Sequence, residues 1–147
     1  MAPIVESIEI ASPPEAVFAY LSHPENLARW QEGVVEARLV SDGPLGEGSL
    51  SEVTRHMGPR VRTLTVRYTR FDPPRGWALR GIDGPVRPLP QISIEPAEGG
   101  SRVTFELDFE GHGLGRLLRL LVRRQAKREL PVNLANAKRQ LEGDPSG

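Results

Sequence analysis

Hydrophobic and polar positions alternate strictly near the end of this chain. The alternation runs through Val103, Thr104, Phe105, Glu106, Leu107, Asp108, Phe109 and Glu110. Since successive side chains of a strand point to opposite faces, the pattern predicts a strand over residues 101–111 with one apolar and one polar face. A long helical pattern rich in leucine and arginine follows at once. The apolar face must therefore pack against that helix or enclose something between strand and helix.

The rest of the chain predicts an antiparallel meander. Breaks rich in Gly, Pro and Asp, such as SDGPLGEG, DPPRG, DGP and PAEGG, separate short apolar runs. The runs predict strands near 4–11, 34–41, 48–57, 61–72, 76–83, 86–96 and 101–111. Helices are expected near 14–21, 24–29 and 114–142. Ser12, Pro13 and Glu15 match a capping box, with Ser12 as N-cap of the first helix.

A run of strands with one long terminal helix indicates the α+β class. Two small helices separate the first strand from the meander, where they can bridge one end of a curved sheet. The chain has 147 residues and contains no internal repeat, low-complexity tract or linker. We therefore expect a single domain over 1–147, long enough to bury roughly 70% of the surface of its unfolded chain.

Composition narrows the possible chemistry. Nineteen basic and nineteen acidic residues balance, which disfavours nucleic acid and membranes as partners. Cysteine is absent and the three histidines are far apart in sequence, so we expect no metal site and no cofactor. The first residues resemble no secretion signal, and no apolar run approaches the roughly 20 residues that span a bilayer. We expect a cytoplasmic protein.

Several segments together resemble a known family. They are IASPPEAVFAYLSHPENLARW, GPLGEGS, YTRFDPPRGWALRG, and EPAEGGSRVTFELDFEG before the long helix. The chain is similar to the START-like or SRPBCC superfamily and, within it, to the polyketide cyclase/dehydrase-like branch. The resemblance implies a helix-grip fold, in which a curved antiparallel seven-stranded sheet wraps around the C-terminal helix and leaves a pocket between them. It implies hydrophobic-ligand binding proteins as well as cyclases and aromatases, and a fold alone does not decide between them.

The resemblance implies that ligand-binding residues lie on the apolar faces of the strands and of the long helix. The expected set is Trp30, Leu64, Val66, Tyr68, Trp77, Leu79, Ile92, Phe105, Leu107, Phe109, Leu118 and Leu121. Among these, Trp30, Tyr68 and Trp77 combine an apolar ring with one polar group, which suits an apolar ligand that must be oriented.

The strand near 48–57 leaves two orientations open. One face carries Leu50, Glu52, Thr54 and His56; the other carries Ser51, Val53, Arg55 and Met57. If the first face points inward, Glu52 and His56 are a candidate acid/base pair. If the second does, Arg55 is a candidate for binding an enolate or carboxylate. With Tyr68, these three form the candidate catalytic set, Glu52, Arg55, His56 and Tyr68.

The terminal helix has two apolar stripes that are almost opposite each other. Leu114, Leu118, Leu121 and Val122 form one stripe, and Leu130, Leu134, Ala137 and Leu141 form the other. A kink or break just before Pro131 would let both stripes face the sheet. In a continuous helix, Arg116, Arg123 and Lys127 would instead project toward the pocket mouth, leaving the first leucines exposed or against a partner.

Three functions remain open from the sequence. The first is binding of a small hydrophobic molecule, such as a polyketide, a lipid or an aromatic metabolite, in the cavity. The second is a polyketide aromatase/cyclase or dehydratase that uses the same cavity. The third is docking to lipid or nucleic acid through the basic helix residues Arg116, Arg119, Arg123, Arg124, Lys127 and Arg128. The apolar stripe around Leu117 leaves both a monomer and a homodimer open.

Overall fold

The structure, a computed structural model, describes residues 2–57 and 59–143. Its strands are β1 (Ile4–Ile10), β2 (Val34–Leu39), β3 (Leu50–Met57), β4 (Arg60–Asp72), β5 (Gly76–Gly81), β6 (Val86–Ala97) and β7 (Gly100–Gly111). Its helices are α1 (Pro14–Leu21), α2 (Leu27–Trp30) and α3 (Gly115–Glu142), and a 3-10 turn at Pro24–Asn26 leads into α2. The predicted strands and helices are all found, and their ends differ by no more than two residues when the 3-10 turn at Pro24–Asn26 is counted with α2.

The seven strands form one antiparallel sheet in the order β1-β7-β6-β5-β4-β3-β2. Strands β2 to β7 follow one another as a meander, whereas β1 pairs with the last strand, with Ile4 opposite Leu107. The register shifts between Val34 and Glu36 and between Tyr68 and Arg70. Such irregularities bend a strand and increase its twist, which helps the sheet to curve around a helix.

The second half of α3 packs on the inner face of the sheet. Ala126, Leu130, Leu134 and Ala137 are buried in one apolar cluster with residues of β1, β6 and β7. Their spacing places them on one side of the helix. Helix α1 contributes Phe18 to the same cluster, where its ring makes edge contacts with Phe71 and Trp77 at centroid distances of 5.1 and 5.2 Å.

The predicted capping box at α1 does not form. The N-cap is Pro13, one residue later than expected, and no side chain in the described part of the chain caps the helix. Ser12 lies outside the helix because Pro14 is its first residue, and the Ser12 carbonyl accepts a hydrogen bond from Ser101 Oγ at 2.7 Å. The Pro13 carbonyl accepts instead from the N–H groups of Ala16 and Val17.

Helix α3 continues through Pro131. The expectation that both of its apolar stripes face the sheet is wrong, because Leu114, Leu118 and Leu121 are exposed and only Val122 of that stripe packs on the core. A helix that keeps its period of about 100° per residue cannot turn two opposite stripes inward. Within the described residues, no helix has the length and hydropathy of a membrane-spanning segment.

Glycine fixes the start of α3. Gly115 is buried against the loop before β6, and a Cβ there would overlap the carbonyl oxygen of Pro85. The same carbonyl accepts a hydrogen bond from the N–H of His112 at 2.8 Å. The first turn of α3 is therefore tied closely to the end of the sheet.

Candidate functional site

A cavity of about 100 Å³ lies between the inner face of the sheet and α3. Ten of the twelve residues that the sequence predicted as ligand-binding line it: Trp30, Leu64, Val66, Tyr68, Trp77, Leu79, Ile92, Phe105, Leu107 and Phe109. The other two, Leu118 and Leu121, lie outside it with 46% and 61% of their surface exposed. They were misplaced because local apolarity does not say which side of a helix meets the sheet.

Other parts of the wall were not predicted from the sequence. Leu21 and Leu27 close one end from the small helices, Pro88 and Pro90 of β6 contribute from the sheet, and α3 contributes Val122, Ala126 and Leu130. The three α3 positions are four residues apart and so share one side of the helix. This spacing is the sequence pattern from which their place in the wall could have been predicted.

Strand β3 turns its second face inward. Ser51, Val53, Arg55 and Met57 line the cavity. Glu52 lies on the other face and forms an ion pair with Arg38 at 3.0 Å. His56 reaches the rim of the cavity with an exposed side chain, and its carbonyl accepts a long hydrogen bond of 3.4 Å from Gln125 Nε2. Glu52 and His56 therefore do not form an acid/base pair inside the cavity.

The charged pair that does face the cavity is Arg55 and Glu129. Arg55 Nη2 donates to Glu129 Oε2 at 3.1 Å, and Gln125 Nε2 donates to the other carboxylate oxygen at 2.8 Å. Burial lowers the pKa of Arg55, and the carboxylate of Glu129 offsets part of that effect. Glu129 was missed in the sequence because a single acidic residue among basic ones is typical of a solvated helix face.

Tyr68 holds two elements together inside the cavity wall. Its hydroxyl donates a hydrogen bond of 2.7 Å to the carbonyl of Ser22, just after α1. Burial raises the pKa of this phenol well above its ordinary value. The hydroxyl is therefore a fixed, protonated donor whose hydrogen bond is already made. Proton transfer by Tyr68 would require that bond to break.

Trp30 provides a donor without an acceptor. The residue ends α2, is 1% exposed and contacts the ring of Phe105 edge to face at a centroid distance of 6.2 Å. Its indole N–H is buried and has no hydrogen-bond partner among the described residues. Leaving such a donor unpaired costs about 1–3 kcal/mol. Trp30 belongs to the cavity wall.

A nearby amide links α3 to the loop after α2. Asn133 is buried on the cavity wall, and its Oδ1 accepts the N–H of Glu32 at 2.9 Å. In residues 2–57 and 59–143, no three His, Asp or Glu side chains group as metal ligands would.

Solved structures with the same architecture have little sequence identity to this chain. TTHA0849 from Thermus thermophilus is 18% identical with a TM-score of 0.78, covering 95% of this chain and 96% of that one. The di-domain ARO/CYC BexL from the BE-7585A biosynthetic pathway is 16% identical with a TM-score of 0.75, covering 97% of this chain and 47% of BexL. Ara h 8.0201 is 15% identical with a TM-score of 0.70, covering 95% and 96%.

These similarities establish a shared fold. A search of curated protein sequences finds no match. The family described as "Polyketide cyclase / dehydrase and lipid transport" matches residues 1–142. The curved sheet, the long helix and the cavity between them are those of a helix-grip fold, and the chain belongs to this polyketide cyclase/dehydrase and lipid transport family.

Proposed function

We propose that this protein binds a small, largely apolar molecule that carries a hydrogen-bond acceptor, in the cavity between the sheet and α3. The observation that carries the proposal is the largely apolar, aromatic wall of this cavity, in which the buried indole N–H of Trp30 has no hydrogen-bond partner among the described residues. Ligand sites combine such walls with a few polar groups that set orientation. Arg55, on the cavity-facing side of β3, offers a second donor to an anionic or strongly polarised oxygen.

The size of the cavity favours one ligand class. Its volume of about 100 Å³ is below the roughly 150 Å³ of an apolar protein cavity that takes benzene, and below the roughly 300–1,000 Å³ of pockets for larger ligands. Among polyketides, lipids and aromatic metabolites, a single-ring aromatic ketone or aldehyde needs the least adjustment. A longer chain would require α3 to lie farther from the sheet.

Acetophenone and ethylbenzene form a matched pair of probes, because they share a ring and differ mainly in the carbonyl oxygen. We expect acetophenone to bind more tightly, as measured by calorimetry or by chemical-shift titration. Trp30→Phe, which removes the N–H, should lower acetophenone affinity roughly fivefold, the equivalent of about 1 kcal/mol for one hydrogen bond. Ethylbenzene affinity should change little.

A cavity-filling variant tests where the probe binds. Leu107→Trp places a larger side chain in the cavity wall and should weaken both probes at least tenfold while circular dichroism shows a folded sheet. Gln91→Trp, at an exposed position on the adjoining strand, is the control. Unchanged affinity in Leu107→Trp would contradict the proposal.

A cyclase or dehydratase is the second candidate, and it rests on Glu129. This carboxylate lines the cavity beside Arg55. As a base it would take the proton from a carbon between two ketone groups, and the electron pair left on the substrate would form an enolate next to the Arg55 guanidinium. Deuterium uptake at C2 of a phenyl-substituted 2-alkyl-1,3-diketone, followed by NMR, tests it. Glu129→Gln should abolish the enzyme-dependent uptake, and no uptake with the unaltered protein would exclude this candidate.

A further inference from the structure

In an ordinary amphipathic helix the leucines face the core, but the first three turns of α3 and the N-cap residue Leu114 before them turn theirs to solvent. Five leucines point to solvent, and we call them the leucine face: Leu114, Leu117, Leu118, Leu120 and Leu121. Between 46% and 79% of the surface of each is exposed. A contiguous apolar surface of this kind is rare on a monomer unless it meets another molecule.

The opposite side of the same turns is polar and faces the sheet. Arg119 and Arg123 approach Asp108 of β7 at 3.3 and 3.4 Å, and Arg123 Nη2 also donates to the carbonyl of Ala2 at 2.9 Å. The hydrogen bond from the N–H of Phe109 and the two guanidinium groups outweigh the effect of burial and lower the pKa of Asp108. Rotating the helix to bury the leucines would break these contacts. The leucine face is therefore held outward.

Exposed basic side chains lie in the same turns of α3 as the leucine face and in the two turns after it. Arg116, Arg124, Lys127 and Arg128 are exposed. No acidic residue occurs in the sequence between Gly111 and Arg128. The overall charge balance disfavoured a membrane partner, but the charges are not evenly spread. The charged side chains of residues 112–128 are therefore all basic.

This charge distribution favours a lipid surface over a second copy of the chain as the partner of the leucine face. A second copy of the chain placed across a two-fold axis would bring the same face, and the same basic residues, against each other. An anionic lipid surface attracts Lys and Arg and accepts leucine side chains into its interfacial layer. We propose that the leucine face of α3 docks this protein on the surface of an anionic lipid bilayer.

The site is next to the cavity. Val122 and Gln125, in the turns that follow the leucine face, line the cavity wall. From Leu114 to Leu121 the helix advances about 10 Å, at 1.5 Å per residue, which suits a helix lying in the plane of the interface. Apolar molecules partition into lipid. A protein docked on the bilayer surface therefore has its cavity close to the molecules dissolved in that bilayer. The docking itself requires no ligand in the cavity.

Vesicle binding tests the proposal without any cavity ligand. The purified full chain is mixed with large unilamellar vesicles of phosphatidylcholine alone or with 30% phosphatidylglycerol (about a third anionic lipid, which gives a strongly negative surface), and the bound fraction is measured by sedimentation. We expect binding only to the anionic vesicles. Raising the salt concentration from about 0.1 to about 1 M, which shortens the screening length from about 10 to about 3 Å, should weaken it.

Two double variants separate the apolar and charged contributions. One variant combines Leu117→Gln with Leu121→Gln, and the other combines Arg116→Gln with Arg124→Gln. Each should reduce the partitioning of the protein onto the anionic vesicles roughly tenfold or more. Val35→Gln with Val61→Gln removes two apolar side chains from strands, each also more than half exposed, and serves as the control. Circular dichroism checks the fold of each.

Three results would overturn the proposal. The first is no difference between the two vesicle types, and the second is equal loss of binding in the valine control. The third is a dimer in analytical ultracentrifugation that the leucine variant dissolves, with no vesicle binding, since the leucine face would then belong to a second copy. Binding to phosphatidylglycerol vesicles that both α3 variants weaken and the control retains would support it.

Discussion

The two halves of α3 face the sheet with opposite chemistry. From Ala126 onward the helix turns small and apolar residues such as Leu130 toward the sheet. Before Ala126 it turns Arg119 and Arg123 toward Asp108 and exposes its leucines. One continuous helix can therefore anchor a fold with one half and present a surface with the other. The hydrophobic effect holds the second half, whereas charge and hydrogen bonds hold the first.

The largest difference in stability between the two halves of α3 is expected when one leucine is truncated in each. Leu130→Ala removes a side chain that is 2% exposed and should lower the free energy of unfolding by about 2–5 kcal/mol in urea titrations. Leu121→Ala removes an exposed one and should change it by less than about 0.5 kcal/mol. Similar losses in the two variants would mean that both halves are packed alike, and the comparison would fail.

Pro131 lies near the junction of the two halves, and its replacement should stabilise the protein. A proline inside a helix is about 3 kcal/mol less favourable than alanine. Because proline also restricts the unfolded chain, it offsets about 1 kcal/mol or less of that loss in folding free energy. We expect Pro131→Ala to raise the free energy of unfolding by about 1–2 kcal/mol, because the position is exposed and lies inside an uninterrupted helix. A loss of stability in thermal unfolding would instead show that the proline positions one half against the other.

The smallest effect is expected at the charged contact under the first half. Asp108→Asn keeps the size of the side chain and removes the charge that pairs with Arg119 and Arg123. We expect a loss of about 1 kcal/mol at neutral pH, with α3 still docked through its second half. Asp72→Asn is the control, because that carboxylate pairs with Arg75 on an exposed turn and should contribute nothing measurable.

The pH dependence follows from the lowered pKa of Asp108. A carboxyl whose pKa is lower in the folded state stabilises the fold fully above its unfolded pKa, about 4, and loses this contribution as the pH falls through the folded value. The difference in unfolding free energy between the unaltered protein and Asp108→Asn should thus be constant from about pH 5 to 8 and shrink below about pH 4. A difference that grew in acid would contradict this assignment.

The strands could be predicted from the sequence because glycine and proline mark their ends and alternation marks their faces. The same alternation identified the cavity residues of β4 to β7, such as Leu64 and Phe105. Strand β3 could not be oriented, since Arg55 and Glu52 make neither of its faces apolar. The neighbours of a strand decide that question.

The remaining features depend on contacts between elements distant in sequence. Glu129 belongs to the cavity only because β3 brings Arg55 to it, across 74 positions of sequence. That the N–H of Trp30 has no partner among the described residues is a result of packing, which a local sequence pattern does not show. Leu118 and Leu121 were assigned to the cavity, rather than to the exposed side that a continuous helix allows, because the sequence does not show that Arg119 and Arg123 bind Asp108 of another element.

The pairing of β1 with β7 has a consequence for how the chain is made. Ile4 and its partner Leu107 are about 100 positions apart, so β1 leaves the ribosome long before the strand that it pairs with in the sheet. Contacts of such long range slow folding and leave apolar surface uncovered meanwhile. Until β7 emerges, Ile4, Ile8 and Ile10 are available to chaperones and to other nascent chains.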